Sequence, residues 1–258
     1  MTEIVTAAML VIGDEILSGR TKDKNIGHLA DIMTAVDIDL KEVRIVPDEE
    51  DEIVSALNAV RVRYSYVFTT GGIGPTHDDI TADAVGKAFG LPVDHDPEAL
   101  ALLAARYSSG EFNERRQRMA RMPKGASLIR NPVSVAPGFQ IGNVFVMAGV
   151  PKIMQAMLED VAPRLAKGVP VISRSITVKL PEGRIAEDLA AIQARHPQLS
   201  IGSYPFFAAG DPAPGQRWTV GTTLVVRGRD EAEVAAAAQE IEALARSFSV
   251  EPEIFAKS

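Results

Sequence analysis

The stretch Tyr66-Val67-Phe68-Thr69-Thr70-Gly71-Gly72-Ile73-Gly74-Pro75-Thr76-His77-Asp78-Asp79-Ile80-Thr81 decides the fold, because an apolar segment runs straight into a glycine-rich loop. Ala82, Val85 and Phe89 follow at helical spacing, so the order expected is strand, glycine loop, helix. Gly71, Gly72 and Gly74 place three glycines within four residues. With no side chains there, a ligand can approach the backbone closely and positive φ is allowed. Bare amides at a helix start suit a phosphate or another anion. Asp78 and Asp79, just beyond, would repel that anion unless a cation lay between them. A hard divalent ion such as Mg²⁺, which prefers carboxylate, water and phosphate oxygens, reconciles the two. A structural reading stands beside this one, with either aspartate as the N-cap of the following helix and the glycine pair as a tight turn.

Upstream of the loop, Ala7-Ala8-Met9-Leu10-Val11-Ile12 is a continuous apolar run, the pattern of a strand buried on both faces. It stops at Gly13-Asp14-Glu15, which sets Asp14 and Glu15 at the edge where open α/β sheets place their ligands. Ile26, Leu29, Ala30 and Met33 then repeat at helical spacing, residues 38–46 read as a second strand ending at Pro47-Asp48, and Ile53, Ala56, Leu57 and Val60 give a second helix. Strands alternating with helices predict an α/β fold with a mostly parallel sheet and helices on both faces.

Downstream, residues 96–124 look helical but irregular, and Glu114, Arg115, Arg116, Arg118 and Arg121 make the segment strongly charged. It is either a solvated helix face or an arginine lip over a phosphate-bearing ligand. Residues 131–139 carry two prolines and read as a loop. Val144-Phe145-Val146-Met147 is another buried strand running into Ala148-Gly149-Val150-Pro151, followed by a helix with Met154 and Met157 as core filler.

The texture changes around Lys167-Gly168-Val169-Pro170, which predicts two domains, 1–168 and 169–258. The second reads as a small α+β unit of βαββα order with no carboxylate cluster or phosphate loop. Trp218 and the Phe206-Phe207 pair within it suggest core or subunit contact. The four histidines lack metal-ligand spacing, and only His77 lies in the loop.

Composition narrows the function classes. The formal net charge of −7 argues against broad binding to nucleic acid or anionic membrane, although one basic pocket or a metal-chelated nucleotide is compatible with it. No cysteine is present, which removes disulfides, thiolate zinc sites and thiol nucleophiles. The N-terminus lacks a basic n-region, and no apolar run reaches the roughly 18 residues a membrane helix needs, so a soluble cytoplasmic protein is expected.

Gly13-Asp14-Glu15-Ile16-Leu17-Ser18-Gly19-Arg20 with Asp23 and Asn25, the loop from Gly71 to Asp79, Asn131-Pro132 and Gly149-Val150-Pro151 occur in an order that resembles the molybdopterin-binding-like domain of CinA (competence/damage-inducible protein A) and of eukaryotic FAD synthases. Gly-Ile-Gly-Pro-Thr-His-Asp-Asp is closest to the FAD-synthase wording. The resemblance covers residues 5–167, and the small second unit is similar to the subdomain that follows in CinA. It implies a nucleotide or pterin diphosphate across the strand ends, and cleavage of ADP-ribose or FAD to release AMP with a divalent metal (Mg²⁺, Mn²⁺ or Co²⁺). On this sequence that places Gly71, Gly72, Gly74, Pro75, Thr76, Asn25, Asn131, Pro132, Gly149, Val150 and Pro151 on the substrate, Asp14, Glu15, Asp78 and Asp79 on the metal, and Asp78 and Asp79 in catalysis. It also implies a homo-oligomer. The chain ends after the small unit, so no nicotinamide-mononucleotide amidase domain or activity is expected.

Two regions depart from the family wording: Ala148, Lys152 and Ile153 replace a pattern that carries a glutamate beside the pocket, and residues 113–121 read Asn113-Glu114-Arg115-Arg116 and Met119-Ala120 where the family tends to have asparagines and a Lys-Gln-Ala string. Three functions are therefore expected in competition: pyrophosphate hydrolysis, nucleotide or molybdopterin binding without cleavage, and adenylyl transfer to molybdopterin.

Overall fold

β1 (Thr6–Ile12) shows why the first half folds as it does. Ala8, Leu10 and Ile12 enter one core and Ala7, Met9 and Val11 the other, the alternation a strand buried on both faces must have. Complete burial of a side chain such as Met9 or Leu10 contributes about 1.5–3 kcal/mol. The structure, a computed structural model, describes residues 4–108, 111–207 and 220–257. It divides into two units, Met1–Val169 and Pro170–Ser258.

In the first unit β1 is followed by a short helix α1 (Asp14–Leu17), then α2 (Asn25–Ala35), β2 (Asp39–Val46), α3 (Glu50–Arg61), β3 (Tyr66–Thr70) and α4 (Thr81–Phe89). The residues α3 buries are the four its spacing predicted, Ile53, Ala56, Leu57 and Val60. Next come β4 (Val93–His95), α5 (Pro97–Arg106), α6 (Glu114–Gln117), β5 (Arg121–Pro123), β6 (Ser127–Ile129), β7 (Gly138–Ile141), β8 (Val144–Met147) and α7 (Pro151–Val161). The six-stranded sheet has the order β2-β1-β3-β8-β7-β6, parallel from β2 to β8 and antiparallel from β8 to β6. Helices α3 and α4 pack on one face, while α2 and α7, with Met154 and Met157 fully buried, pack on the other.

The segment expected to be irregularly helical is more articulated than its sequence suggested. Asp96 caps α5, its carboxylate accepting from the Ala99 N–H at 2.9 Å, and β5 returns to pair with β4 as a separate two-stranded sheet. β6 was also missed. Three-residue strands are too short to show a period.

The second unit contains β9 (Ile172–Val178), α8 (Ala186–Arg195), β10 (Ser200–Phe207), β11 (Val220–Gly228), α9 (Glu231–Ser247) and β12 (Glu253–Lys257). Its antiparallel sheet has the order β10-β11-β9-β12, and both helices share one core with it. The expected βαββα order thus lacks one strand: β12 pairs with β9 after the last helix. Phe206 and Phe207 lie in β10, and at 38% and 66% exposed they are not core. Trp218 lies outside the described residues. Among the described residues no helix is long and apolar enough to cross a membrane.

Candidate functional site at the carboxyl ends of the parallel strands

Three strand ends meet at Gly71. Its N–H donates to the Met147 carbonyl at the end of β8 (3.1 Å), and its φ is +104°. A Cβ there would lie 2.0 Å from the Ile12 carbonyl oxygen, and one at Gly149 would lie 3.3 Å from the Gly71 Cα. Gly71 is therefore a backbone wedge, and the expectation that its amide holds phosphate is corrected. Nor do the glycines open the helix. α4 starts at Thr81, whose N–H donates to the Gly72 carbonyl (3.0 Å) and whose buried hydroxyl donates to the Gly71 carbonyl (3.0 Å). Neither aspartate caps α4, since Ile80 holds the N-cap position without a side-chain bond. Among the described residues the N–H groups of Gly72 and Gly74 have no protein acceptor, so these two remain for a ligand.

The acids divide between two places. Asp14 and Glu15 open α1, both exposed, and the Asp14 N–H donates to Asp48 Oδ2 at 3.0 Å. Asp48 follows β2 and was not among the expected site residues. Burial raises its pKa above the ordinary carboxyl value; the Asp14 N–H opposes that, and the charges of Asp14, Glu15 and Asp78 reinforce it. A sequence signal existed, because Pro47-Asp48 closes β2 just as Gly13-Asp14 closes β1. Thr76 meets both loop aspartates, and its side-chain hydrogen bond holds the Asp78 carboxyl below its usual value. Asp79 is the more fully engaged of the two. Its Oδ2 accepts from the Thr76 N–H (2.7 Å) and the Thr76 hydroxyl, and a Cβ on Gly74 would sit 2.6 Å from that oxygen. Asp78 adds its charge to the acidic group although Thr76 also bonds it, and Asp79 serves the fold of the loop.

Among the described residues no three His, Asp or Glu side chains form a cage for a metal ion, so Asp14, Glu15, Asp78 and Asp79 do not make one four-ligand site. The donor chemistry still fits a divalent cation. Magnesium is commonly held by one or two carboxylates plus substrate phosphates rather than by an all-protein cage. The crowding of Asp14, Glu15 and Asp78 around Asp48 is the negative charge that such a shared ion offsets.

Asn25, the buried first residue of α2, reaches across to the third strand end, its Nδ2 donating to the Gly149 carbonyl at 2.8 Å. The Asn25 and Ile26 N–H groups both donate to Asp23 Oδ1. Asn25 Oδ1 is buried without a partner, as are the hydroxyl oxygens of Thr69 and Thr70. With Nδ2 oriented by the Gly149 carbonyl, Asn25 Oδ1 is an open acceptor that matches a hydroxyl or N–H.

Asn131 was expected on the substrate, but its amide is used inside its own loop. Oδ1 accepts from the Val133 and Ser134 N–H groups, and Nδ2 donates to Ser134 Oγ and the Ala136 carbonyl. Pro132 and Val150 are exposed, and Pro151 is the first residue of α7. Pro75 and Thr76 sit exposed on the glycine loop.

The charged segment also divides. Arg121 forms a bidentate pair with Asp83 (2.8 and 2.7 Å), and Arg116 stacks on Tyr107, 4.2 Å from the ring centroid. Arg118 lines a cleft with Gly72, Gly74, Asp79 and Phe139, and a second cleft with Pro75, Thr76, His77 and Arg115. These basic groups flank the loop on the side of Asp79.

Comparison with known proteins meets this geometry. Residues 8–167 match the family model of a probable molybdopterin binding domain, and residues 170–253 match that of the FAD synthase middle domain. A protein of Pyrobaculum arsenaticum is 38% identical over 218 residues, covering 80% of this chain and 82% of its own. A CinA-like protein of Citrifermentans bemidjiense is 39% identical over 190 residues, 70% of this chain, and the chain spans 46% of that relative. A second CinA-like protein, from Desulfosudis oleivorans, is spanned to 51%. The crystal structure of CinA, of unknown function, from Thermoplasma acidophilum superposes with a TM-score of 0.59 at 32% identity, covering 62% of this chain and 98% of that one.

Proposed function

The chain belongs to the CinA-like proteins built on a molybdopterin-binding-like domain, and on that premise we propose that it hydrolyses the pyrophosphate bond of an ADP-containing nucleotide, of the ADP-ribose or FAD type, releasing AMP. The observation that carries the reading is the meeting of free loop amides and crowded carboxylates at one rim of the parallel sheet.

The N–H groups of Gly72 and Gly74 bind phosphate oxygens, and the wedge at Gly71 holds that loop rigid against β1 and β8. One or two carboxylates drawn from Asp14, Glu15 and Asp78 would hold a divalent cation together with the phosphates, while Asp48 fixes the start of α1 through the Asp14 N–H. When bound, such a cation neutralises charge that builds on the phosphate oxygens. Asn25 accepts through Oδ1 from a ribose hydroxyl or a ring N–H at the Gly149 end, its amide oriented by the Gly149 carbonyl. Homo-oligomerisation belongs to the same proposal and is read by sedimentation velocity.

A second reading, binding of a nucleotide or pterin without cleavage, is favoured by one observation. Ile153, at the position where relatives carry an acid, packs against the apolar core beneath α7. Incubation with ADP-ribose and FAD, with and without Mg²⁺, Mn²⁺ or Co²⁺, separates the two by chromatography of the products. AMP appearing only with added metal is the expected result. Binding without any AMP across the panel leaves the second reading, and adenylyl transfer from ATP to molybdopterin in the same assay would replace both.

A further inference from the structure

Resting on the nucleotide reading above, we propose that Arg118, backed by Arg115, is an anion contact on the far side of the glycine loop from the acids, and that it gives this chain a preference for ligands with two or more phosphates over nucleoside monophosphates.

The two clefts along the loop share one charged side chain. Arg118 faces Gly72 and Gly74 in the first, and Pro75, Thr76 and His77 in the second, where Arg115 joins it. Neighbouring cations are engaged elsewhere. Arg121 spends its fork on Asp83, which also lines the first cleft, and Arg116 donates to the Glu111 carbonyl at 2.6 Å while stacking on Tyr107. Asp79, the other carboxylate of the first cleft, is engaged by the Thr76 N–H and hydroxyl. Among the described residues Arg115 and Arg118 have no ion pair. Arg118, free of an ion pair beside two free loop amides, with Arg115 in the adjoining cleft, supplies a donor set for a polyphosphate.

The arrangement also explains how an acidic protein takes an anionic ligand. On one flank of the loop the carboxylates require a cation, and on the other the arginines meet the phosphate directly. A monophosphate held by the loop amides leaves Arg118 unfilled. A diphosphate spans both. Arginine suits this position better than lysine, because its planar fork bridges two phosphate oxygens.

The test is binding of adenosine, AMP, ADP and ATP to the whole chain by isothermal titration calorimetry without divalent ion. Wild type is expected to bind ADP at least tenfold more tightly than AMP. Arg118→Ala should abolish that step, Arg118→Lys should restore part of it, and Arg115→Ala should reduce it by about threefold. Circular dichroism checks folding, and Arg118→Gln serves if the alanine variant unfolds. As a readout independent of any variant, raising KCl from about 50 to 500 mM should weaken ADP more than AMP. Nucleotide binding in which Arg118→Ala or Arg118→Gln leaves the ADP-to-AMP ratio within twofold of wild type overturns this inference alone. No binding of any nucleotide by wild type overturns the nucleotide reading, and this contact with it.

Discussion

The two flanks of the glycine loop are chemical opposites only about one loop apart. On the flank of β1 and β2, Asp14, Glu15, Asp48 and Asp78 gather negative charge until burial and mutual repulsion raise Asp48. On the flank of α6, Arg115 and Arg118 gather positive charge while Arg121 cancels Asp83. The loop itself meets both sides: Asp78, though also bonded by Thr76, adds its charge to the acids, and Asp79, next in sequence, is held by the Thr76 N–H and lines the cleft of Arg118. Adjacent carboxylates therefore need not act as a pair, and the backbone between them decides which surroundings each meets.

Both flanks hang on Gly71, so the largest effect expected removes the contrast altogether. Gly71→Ala forces a side chain into the Ile12 carbonyl at φ +104° and should cost at least about 3 kcal/mol in chemical denaturation, with loss of ligand binding on both sides of the loop. Retention of wild-type stability would show that the three strand ends are not wedged there.

Disabling one flank is the next test. Asp14→Asn with Asp78→Asn should lower metal-dependent AMP release by about 100-fold or more while leaving metal-free ADP binding unchanged or tighter, because repulsion is removed and Arg118 is retained. Equal loss of both would mean that the flanks do not act separately.

Asn131 sharpens the boundary of the site. Asn131→Ala removes four hydrogen bonds within its own loop and should cost about 2 kcal/mol, with nucleotide affinity within twofold of wild type. A large loss of affinity in a stable variant would return Asn131 to the ligand.

The smallest effect concerns Asp48. Its carboxyl ionises at higher pH folded than unfolded, so stability is full below the unfolded value of 3.8 and falls as pH rises through the raised folded value. Asn keeps an acceptor for the Asp14 N–H without the charge. Asp48→Asn should therefore flatten that slope and raise the melting temperature at pH 7 by about 2 °C, while weakening metal-dependent turnover. An unchanged slope would show that Asp48 does not share the field of Asp14, Glu15 and Asp78.

Much of the architecture was legible because the signals are local. β1 reads directly as a strand with two buried faces, and α3 buries the four residues its period names. The family resemblance was carried by ordered motifs in the same way. What escaped were elements whose stability comes from a remote partner: β5 against β4, β6 at the antiparallel edge, and β12 against β9. Site residues were legible by type more than by role. Gly71 was marked as special, yet its amide goes to Met147; the resemblance put Asn131 on the substrate, yet its amide serves its own turn; and Asp48 was passed over as a strand terminus.

The amino-acid order alone settled the fold family, the parallel core and the glycine loop after the third strand, since hydrophobic period and glycine placement act over a few residues. Only the folded chain decided which groups are still free to bind. That choice depends on hydrogen bonds and charges between segments far apart in sequence, such as Gly71 with Met147, Asn25 with Gly149 and Asp14 with Asp48, and a buried donor once satisfied by its own protein has nothing left for a ligand.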